Sequence, residues 1–149
     1  MKIAIACDHA GCDVKNEVIK ALENEGHVVT DHGCYTSESV NYPDYAHKVC
    51  KAVQDREATL GILICGTGIG MSMAANKHVG IRAAVCTDEF CTEMTRRHND
   101  ANVLCMGARV ISAETAVSLA KLFVNTEFEG GRHALRVDMV NELDKTETV

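Results

Sequence analysis

Apolar residues fall into short continuous runs separated by stretches with helical spacing. Ile3 to Cys7 is the first run and predicts a strand. Val14, Val18 and Leu22 follow at four-residue spacing, with Lys15, Glu17 and Glu23 largely off that face, which predicts an amphipathic helix stopped near Gly26. His27 to Thr30 predicts a second strand, and Asp31 to Asn41 reads as a polar loop. Tyr42-Pro43 marks a helix start, because proline suits the first helical position and pushes the residue before it to an extended conformation. Val49, Cys50 and Val53 give that helix its apolar face.

Leu60 to Cys65 is apolar without interruption, the pattern of a strand buried on both faces. A glycine-rich turn leads to a short predicted helix over Ser72 to Lys77, then a fourth strand over Ile81 to Cys86. Thr87 or Asp88 caps the next helix, which extends towards His98, and Asn102 to Met106 is the fifth strand. Ser112 caps a helix carrying Val117, Leu119, Ala120, Phe123 and Val124. Gly130-Gly131 then breaks the chain before a last helix from about Arg132 to Asp144, and Lys145 to Val149 read as a frayed end.

Strands alternating with helices predict an α/β fold with a mostly parallel sheet. The 149 residues make one domain, with no internal repeat or linker. In such sheets ligands bind beyond the carboxyl ends of the strands, near a topological switch point. That rule selects Asp8-His9, Cys65 to Gly70, Thr87-Asp88 and Gly107 to Arg109.

Composition narrows the function. A formal net charge of −6 argues against a nucleic-acid binder with a broad basic surface, though not against a small basic pocket. The first residues are too short an apolar stretch, interrupted by Asp8, for a signal peptide, and no run is long enough to span a membrane. A reducing cytoplasm is the expected compartment, with the eight cysteines as thiols. No Cys-x-x-Cys pair is present, so neither a zinc knuckle nor a thioredoxin-type motif is expected, and all but one cysteine read as small buried hydrophobes.

The exception is Cys65, which opens Cys65-Gly66-Thr67-Gly68-Ile69-Gly70. Glycines there leave backbone N–H groups unobstructed, and a nest of such groups at a helix start stabilises an anion. One reading is a dinucleotide site, with Asp88 near the offset of a ribose-binding acid. The dinucleotide fingerprint, however, needs glycine where Met71 stands, and it follows the first strand. In a second reading the nest favours the thiolate of Cys65, a nucleophile or general base. Elsewhere, Asp8-His9 follows the first strand, and Arg97-His98-Asn99-Asp100 supplies a histidine suited to proton transfer beside helix-terminal basic groups. Arg132 and Arg136 lie four apart on one helix face, and with Arg109 they suit a phosphate. No His/Asp/Glu spacing reads as a metal site. A base, an anion nest and a phosphate grip together suit proton transfer beside a carbonyl in a phosphorylated small molecule.

Several segments together resemble the type B ribose-5-phosphate isomerases. They are Cys7-Asp8-His9-Ala10-Gly11 with Lys15, Tyr42-Pro43-Asp44-Tyr45-Ala46, the Cys65–Gly70 loop with Ala74-Ala75-Asn76-Lys77, and Gly80-Ile81-Arg82-Ala83. The pattern continues through His98-Asn99-Asp100-Ala101-Asn102-Val103-Leu104, Gly107-Ala108-Arg109 and Glu129-Gly130-Gly131-Arg132-His133 with Arg136. The resemblance runs from Lys2 to about Val140, in the same order and spacing. The wider family includes allose-6-phosphate and galactose-6-phosphate isomerases.

The resemblance implies a three-layer, open, Rossmann-like fold with a five-stranded parallel sheet. It implies interconversion of ribose 5-phosphate and ribulose 5-phosphate, a step of the pentose phosphate pathway, without metal or cofactor. Cys65 would be the base, working through a cis-enediolate. Thr67 and the amides of Gly66, Gly68 and Gly70 would form the anion hole, and His98 would assist ring opening. Asp8 and Asn99 would hold sugar hydroxyls, with Asp8 a possible proton shuttle. His9, Arg109, Arg132 and Arg136 would bind the phosphate, and Tyr42 would line the pocket. One branch of the family uses a glutamate just after the glycine loop, where this chain has Met71. Asn41 stands where an aspartate is expected before Tyr-Pro, which leaves the capping of that loop open. A homodimer, or a dimer of dimers, with shared sites is also implied, with the helix over 132–144 in the contact. Other functions weighed are a six-carbon sugar-phosphate isomerase, a non-catalytic nucleotide-binding module and a thiol redox sensor.

Overall fold

The structure, a computed structural model, describes residues 1–145; the rest of the end expected to fray, 146–149, lies outside the described residues. Eleven elements alternate along the chain: β1 (Lys2–Cys7), α1 (Cys12–Asn24), β2 (Val28–Asp31), α2 (Tyr42–Gln54), β3 (Leu60–Cys65), α3 (Ile69–Ala75), β4 (Ala83–Val85), α4 (Glu89–Asn99), β5 (Val103–Gly107), α5 (Ala113–Asn125) and α6 (Arg132–Glu142). The strands form one sheet in the order β2-β1-β3-β5-β4, and every neighbouring pair is parallel. The expected α/β class is therefore present, and more regular than a mostly parallel sheet.

The central strands carry continuous apolar runs because both faces are covered. β3 and β5 are buried throughout. Their side chains alternate between two layers. Ile3, Ile5, Ile62, Ile64, Leu104 and Met106 meet Val18 and Leu22 of α1 and Leu119 and Phe123 of α5. Ala4, Ala6, Leu63, Val103 and Cys105 meet Ala46, Val49 and Cys50 of α2 and Met71 of α3. The second layer is thin. A Cβ placed on Gly61 would lie 2.6 Å from Val49 Cγ1, so glycine and alanine on this face let α2 approach closely.

Several boundaries differ from the sequence reading. The short helix begins at Ile69, directly out of the glycine loop, rather than at Ser72. The fourth strand is only Ala83–Val85, since it lies at the sheet edge with one neighbour. The last helix ends at Glu142. Pro43 is the second helical residue, because Tyr42 is already helical, and Asn41 makes no side-chain capping bond. Asp88 and Ser112 do cap: their side chains accept the amides of Cys91 at 2.8 Å and Thr115 at 3.1 Å. Among the described residues no helix is long and apolar enough to cross a membrane.

The chain leaves β1 for β2 on one side, then crosses to β3 on the other, so the sheet has its switch point between β1 and β3. A buried cation braces this region. Lys15, 1% exposed, donates from Nζ to both carboxylate oxygens of Asp31 (2.7 and 2.8 Å) and to the Cys34 carbonyl (2.8 Å). Asp31 Oδ1 also accepts the Gly33 amide at 2.9 Å. The pair fastens α1 to the chain leaving β2. Removing one partner of such a pair strands a buried charge. Asp31→Ala is therefore expected to lower the unfolding free energy by about 3 kcal/mol. Lys51→Ala, which breaks the exposed Lys51–Asp55 pair, should cost less than about 1 kcal/mol. Urea unfolding of both variants checks this, and equal losses would refute the bracing role of Lys15.

Candidate active site

The glycine loop is shaped by its contact with β5. Gly68 takes φ +80°, and a Cβ there would lie 3.0 to 3.2 Å from the Met106 backbone, so only glycine fits both the turn and the approach. This folds the loop back on its first residue. The Gly68 amide donates to Cys65 Sγ at 3.1 Å, a bond that stabilises negative charge on sulfur. The family resemblance puts this amide in the anion hole; in the structure its N–H points at the thiol. The Gly70 amide lies in the first turn of α3, where N–H groups lack helical acceptors. Thr67 is exposed, and its Oγ1 accepts the Ile69 amide at 3.3 Å.

The neighbouring strand ends complete this cluster. The Asp8 amide donates to the Ile64 carbonyl at 3.0 Å, and its Oδ1 accepts the Ala10 amide at 2.9 Å, which holds a nearly buried carboxylate beside the loop. His9 Nδ1 accepts the Val40 amide at 3.3 Å. The Tyr42 ring lies over Gly70, since a Cβ there would come within 2.8 Å of it. Arg109 donates its amide to the Gly66 carbonyl at 3.0 Å, and its guanidinium flanks Gly66. The ends of β1, β3 and β5 thus gather Asp8, His9, Tyr42, Cys65 to Gly70 and Arg109 around the switch point, as the carboxyl-end rule anticipates.

The remaining expected residues form a second cluster. α4 starts beyond the carboxyl end of β4 and runs back, so His98 and Asn99 emerge at the amino end of β5. The His98 ring stacks on His133, with centroids 4.1 Å apart and planes 10° from parallel. Glu129 Oε2 lies 3.8 Å from His98 Nε2 and 3.6 Å from His133 Nε2. A cavity of about 740 Å³ opens here, lined by His98, Asn99, His133 and Arg136 together with apolar Val137 and Val140. Arg132 begins α6 beside His133. The five residues of β5 separate the two clusters by about 15 Å. One chain does not bring His98, Asn99, Arg132 and Arg136 to Cys65.

His133 is the site residue that sequence reasoning passed over; its one signal is the four-residue spacing from Glu129. The cysteines also sort differently from a uniform core filler. Burial pushes the Cys50 thiol up to about 12 and that of Cys105 well above its ordinary value, and both are inert packing. Cys91 is exposed, with the adjacent Asp88 raising its pKa. Cys7, Cys12 and Cys34 converge despite their sequence separation. His98, Glu129 and His133 also converge closely enough to share a cation. That carboxylate is already held by Arg97, however, and Arg132 and Arg136 stand nearby, so the charge of the site favours an anion.

Comparison with known proteins gives the family. The chain belongs to the ribose/galactose isomerase family, which it matches over residues 3–140. Ribose-5-phosphate isomerase B of Escherichia coli is 44% identical over 144 residues, covering 97% of each chain. The solved ribose-5-phosphate isomerase B of Clostridium thermocellum superposes with a TM-score of 0.95 at 48% identity, over 97% of this chain and 98% of that one. A Thermotoga maritima ribose 5-phosphate isomerase gives 0.92 at 48% identity, over 95% and 97%.

His133 sets a pH dependence. Burial lowers the His133 pKa, the charges of His98, Arg132 and Arg136 lower it further, and Glu129 opposes them. The unfolded chain therefore takes up this proton more readily than the folded chain, near the ordinary 6.5. The contribution to stability is present above that pH and is lost as pH falls below it. Unfolding free energy measured from pH 7 to 5 should decline, and His133→Gln should flatten part of the decline. An unchanged slope in that variant would exclude His133 as its source.

Proposed function

We propose that the chain interconverts ribose 5-phosphate and ribulose 5-phosphate, with Cys65 as the base. The observation that carries the assignment is the Gly68 N–H on Cys65 Sγ, in a glycine loop at the switch point with Asp8 beside it. A thiolate there takes the proton from C2 of the open-chain aldose, and the electron pair shifts onto the C1 carbonyl to give an enediolate. The amides of Gly66 and Gly70, with Thr67, stabilise the developing oxyanion. Asp8 relays the hydroxyl proton from O2 to O1, and the thiol returns its proton to C1. His98 assists opening of the sugar ring and Asn99 holds a hydroxyl. His9, Arg109, Arg132 and Arg136 hold the phosphate, and Tyr42 closes the pocket wall. No step requires a cofactor. The reaction serves the pentose phosphate pathway, in a cytoplasm that keeps the thiols reduced.

This chemistry needs both clusters, so the active species is a homodimer in which one chain's carboxyl-end cluster faces the other's His98 and Arg136. The supporting observation is α6. Leu135 and Met139 of α6 and the capping Leu143, at i, i+4 and i+8, are exposed at 67%, 61% and 80%, an apolar stripe that is uncovered among the described residues.

Cys65→Ala should lower kcat by about 10³-fold and stop exchange of the C2 proton with solvent, while phosphate-dependent binding remains. Turnover near that of the parent would overturn the assignment. The double substitution Leu135→Glu with Met139→Glu should give a folded monomer by sedimentation, with kcat reduced about 10²-fold or more, since each site loses its second half. A fully active monomer would refute the shared site.

A further inference from the structure

We propose that Cys7, Cys12 and Cys34 form a three-thiolate site for one soft divalent cation of the zinc and cadmium kind. The sulfurs come from the end of β1, the first residue of α1 and the loop after β2. Cys12 Sγ lies 3.7 Å from Cys7 Sγ and 3.7 Å from Cys34 Sγ, and all three fall within 4.8 Å of one another. With metal–sulfur bonds of about 2.3 Å, a tetrahedral ion sets its sulfurs about 3.75 Å apart. The two 3.7 Å separations match that edge.

The surroundings favour the same use. The Thr36 carbonyl lies 3.3 Å from Cys12 Sγ and 3.5 Å from Cys34 Sγ, so an oxygen donor already stands beside two of the three sulfurs. Cys12 is only partly buried and Thr36 is exposed, which gives an ion a path in. Binding releases three thiol protons and leaves one net negative charge on the metal–thiolate unit. The Lys15 ammonium, paired with Asp31, also donates to the Cys34 carbonyl at 2.8 Å, which fixes the loop that carries the third sulfur. An ion here clamps both ends of the segment from Cys7 to Cys12, which carries Asp8 and His9. Occupancy therefore bears on the same strand end as the proposed chemistry, without using Cys65.

The test is an anaerobic titration of the full chain with Cd²⁺, followed by the thiolate-to-cadmium charge-transfer absorbance. The expected result is an end point at one ion per chain, with Cys91→Ser and Cys65→Ala behaving as the parent and Cys12→Ser weakened at least tenfold. X-ray absorption on the parent chain at one equivalent needs no variant, and should count three sulfur neighbours. Parent-like binding by a folded Cys12→Ser, no end point at one equivalent, or two or fewer sulfurs would each overturn the proposal. The isomerase assignment is tested separately by turnover in metal-free buffer, so either can fail without the other.

Discussion

The parallel direction of all five strands is the constraint on which the rest of the molecule depends. It sends every strand's carboxyl end to one edge of the sheet and obliges each helix to return to the other. Residues that follow a strand and residues that end a helix are then on opposite sides of a buried layer. Asp8 and Arg109 follow strands and Cys65 ends one; His98 and Asn99 end α4. No rotamer or loop adjustment crosses the length of β5, so the division into two clusters is a property of the topology rather than of any side chain.

Each cluster solves a different electrostatic problem. Around Cys65 the backbone supplies the stabilising dipoles, because glycine exposes N–H groups that a side chain would cover. Around His98 the side chains supply it, with Arg132, Arg136 and two stacked histidines concentrated in a chain whose net charge is −6. The acidic excess does not reach this cluster unopposed. Glu129, whose carboxylate lies within 4 Å of both histidines, is engaged by Arg97. An anionic ligand is the natural complement, and the apolar stripe of α6 lies beside it.

Much of this was legible in the sequence, for identifiable reasons. Leu60–Cys65 was readable as a doubly buried strand because parallel packing erases the polar alternation of exposed sheets. Asp88 and Ser112 were readable as caps because capping is a local bond. The start of α3 was not: Ile69 and Gly70 are poor helix formers held helical by the loop's seat against β5. The edge strand β4 was overextended because an apolar run says nothing about how many neighbours it finds. Pairwise proximity was hidden altogether. The His98–His133 stack spans 35 residues and the Cys12–Cys34 contact 22, distances at which no spacing rule operates. The resemblance to a known family ordered the site residues, but a linear order does not say which edge of the sheet each one occupies.

The separation of the two clusters also has a hereditary side. On the shared-site reading, a chain damaged at Cys65 still offers a sound His98, and a chain damaged at His98 still offers a sound Cys65. Pair them, and one of the two sites collects both defects while the other collects none. Two alleles that are each inactive alone would then restore activity together in one cell, whereas two alleles damaged in the same cluster would not. On that reading the sheet's direction would be written into the genetics of the locus, as a complementation map with two groups.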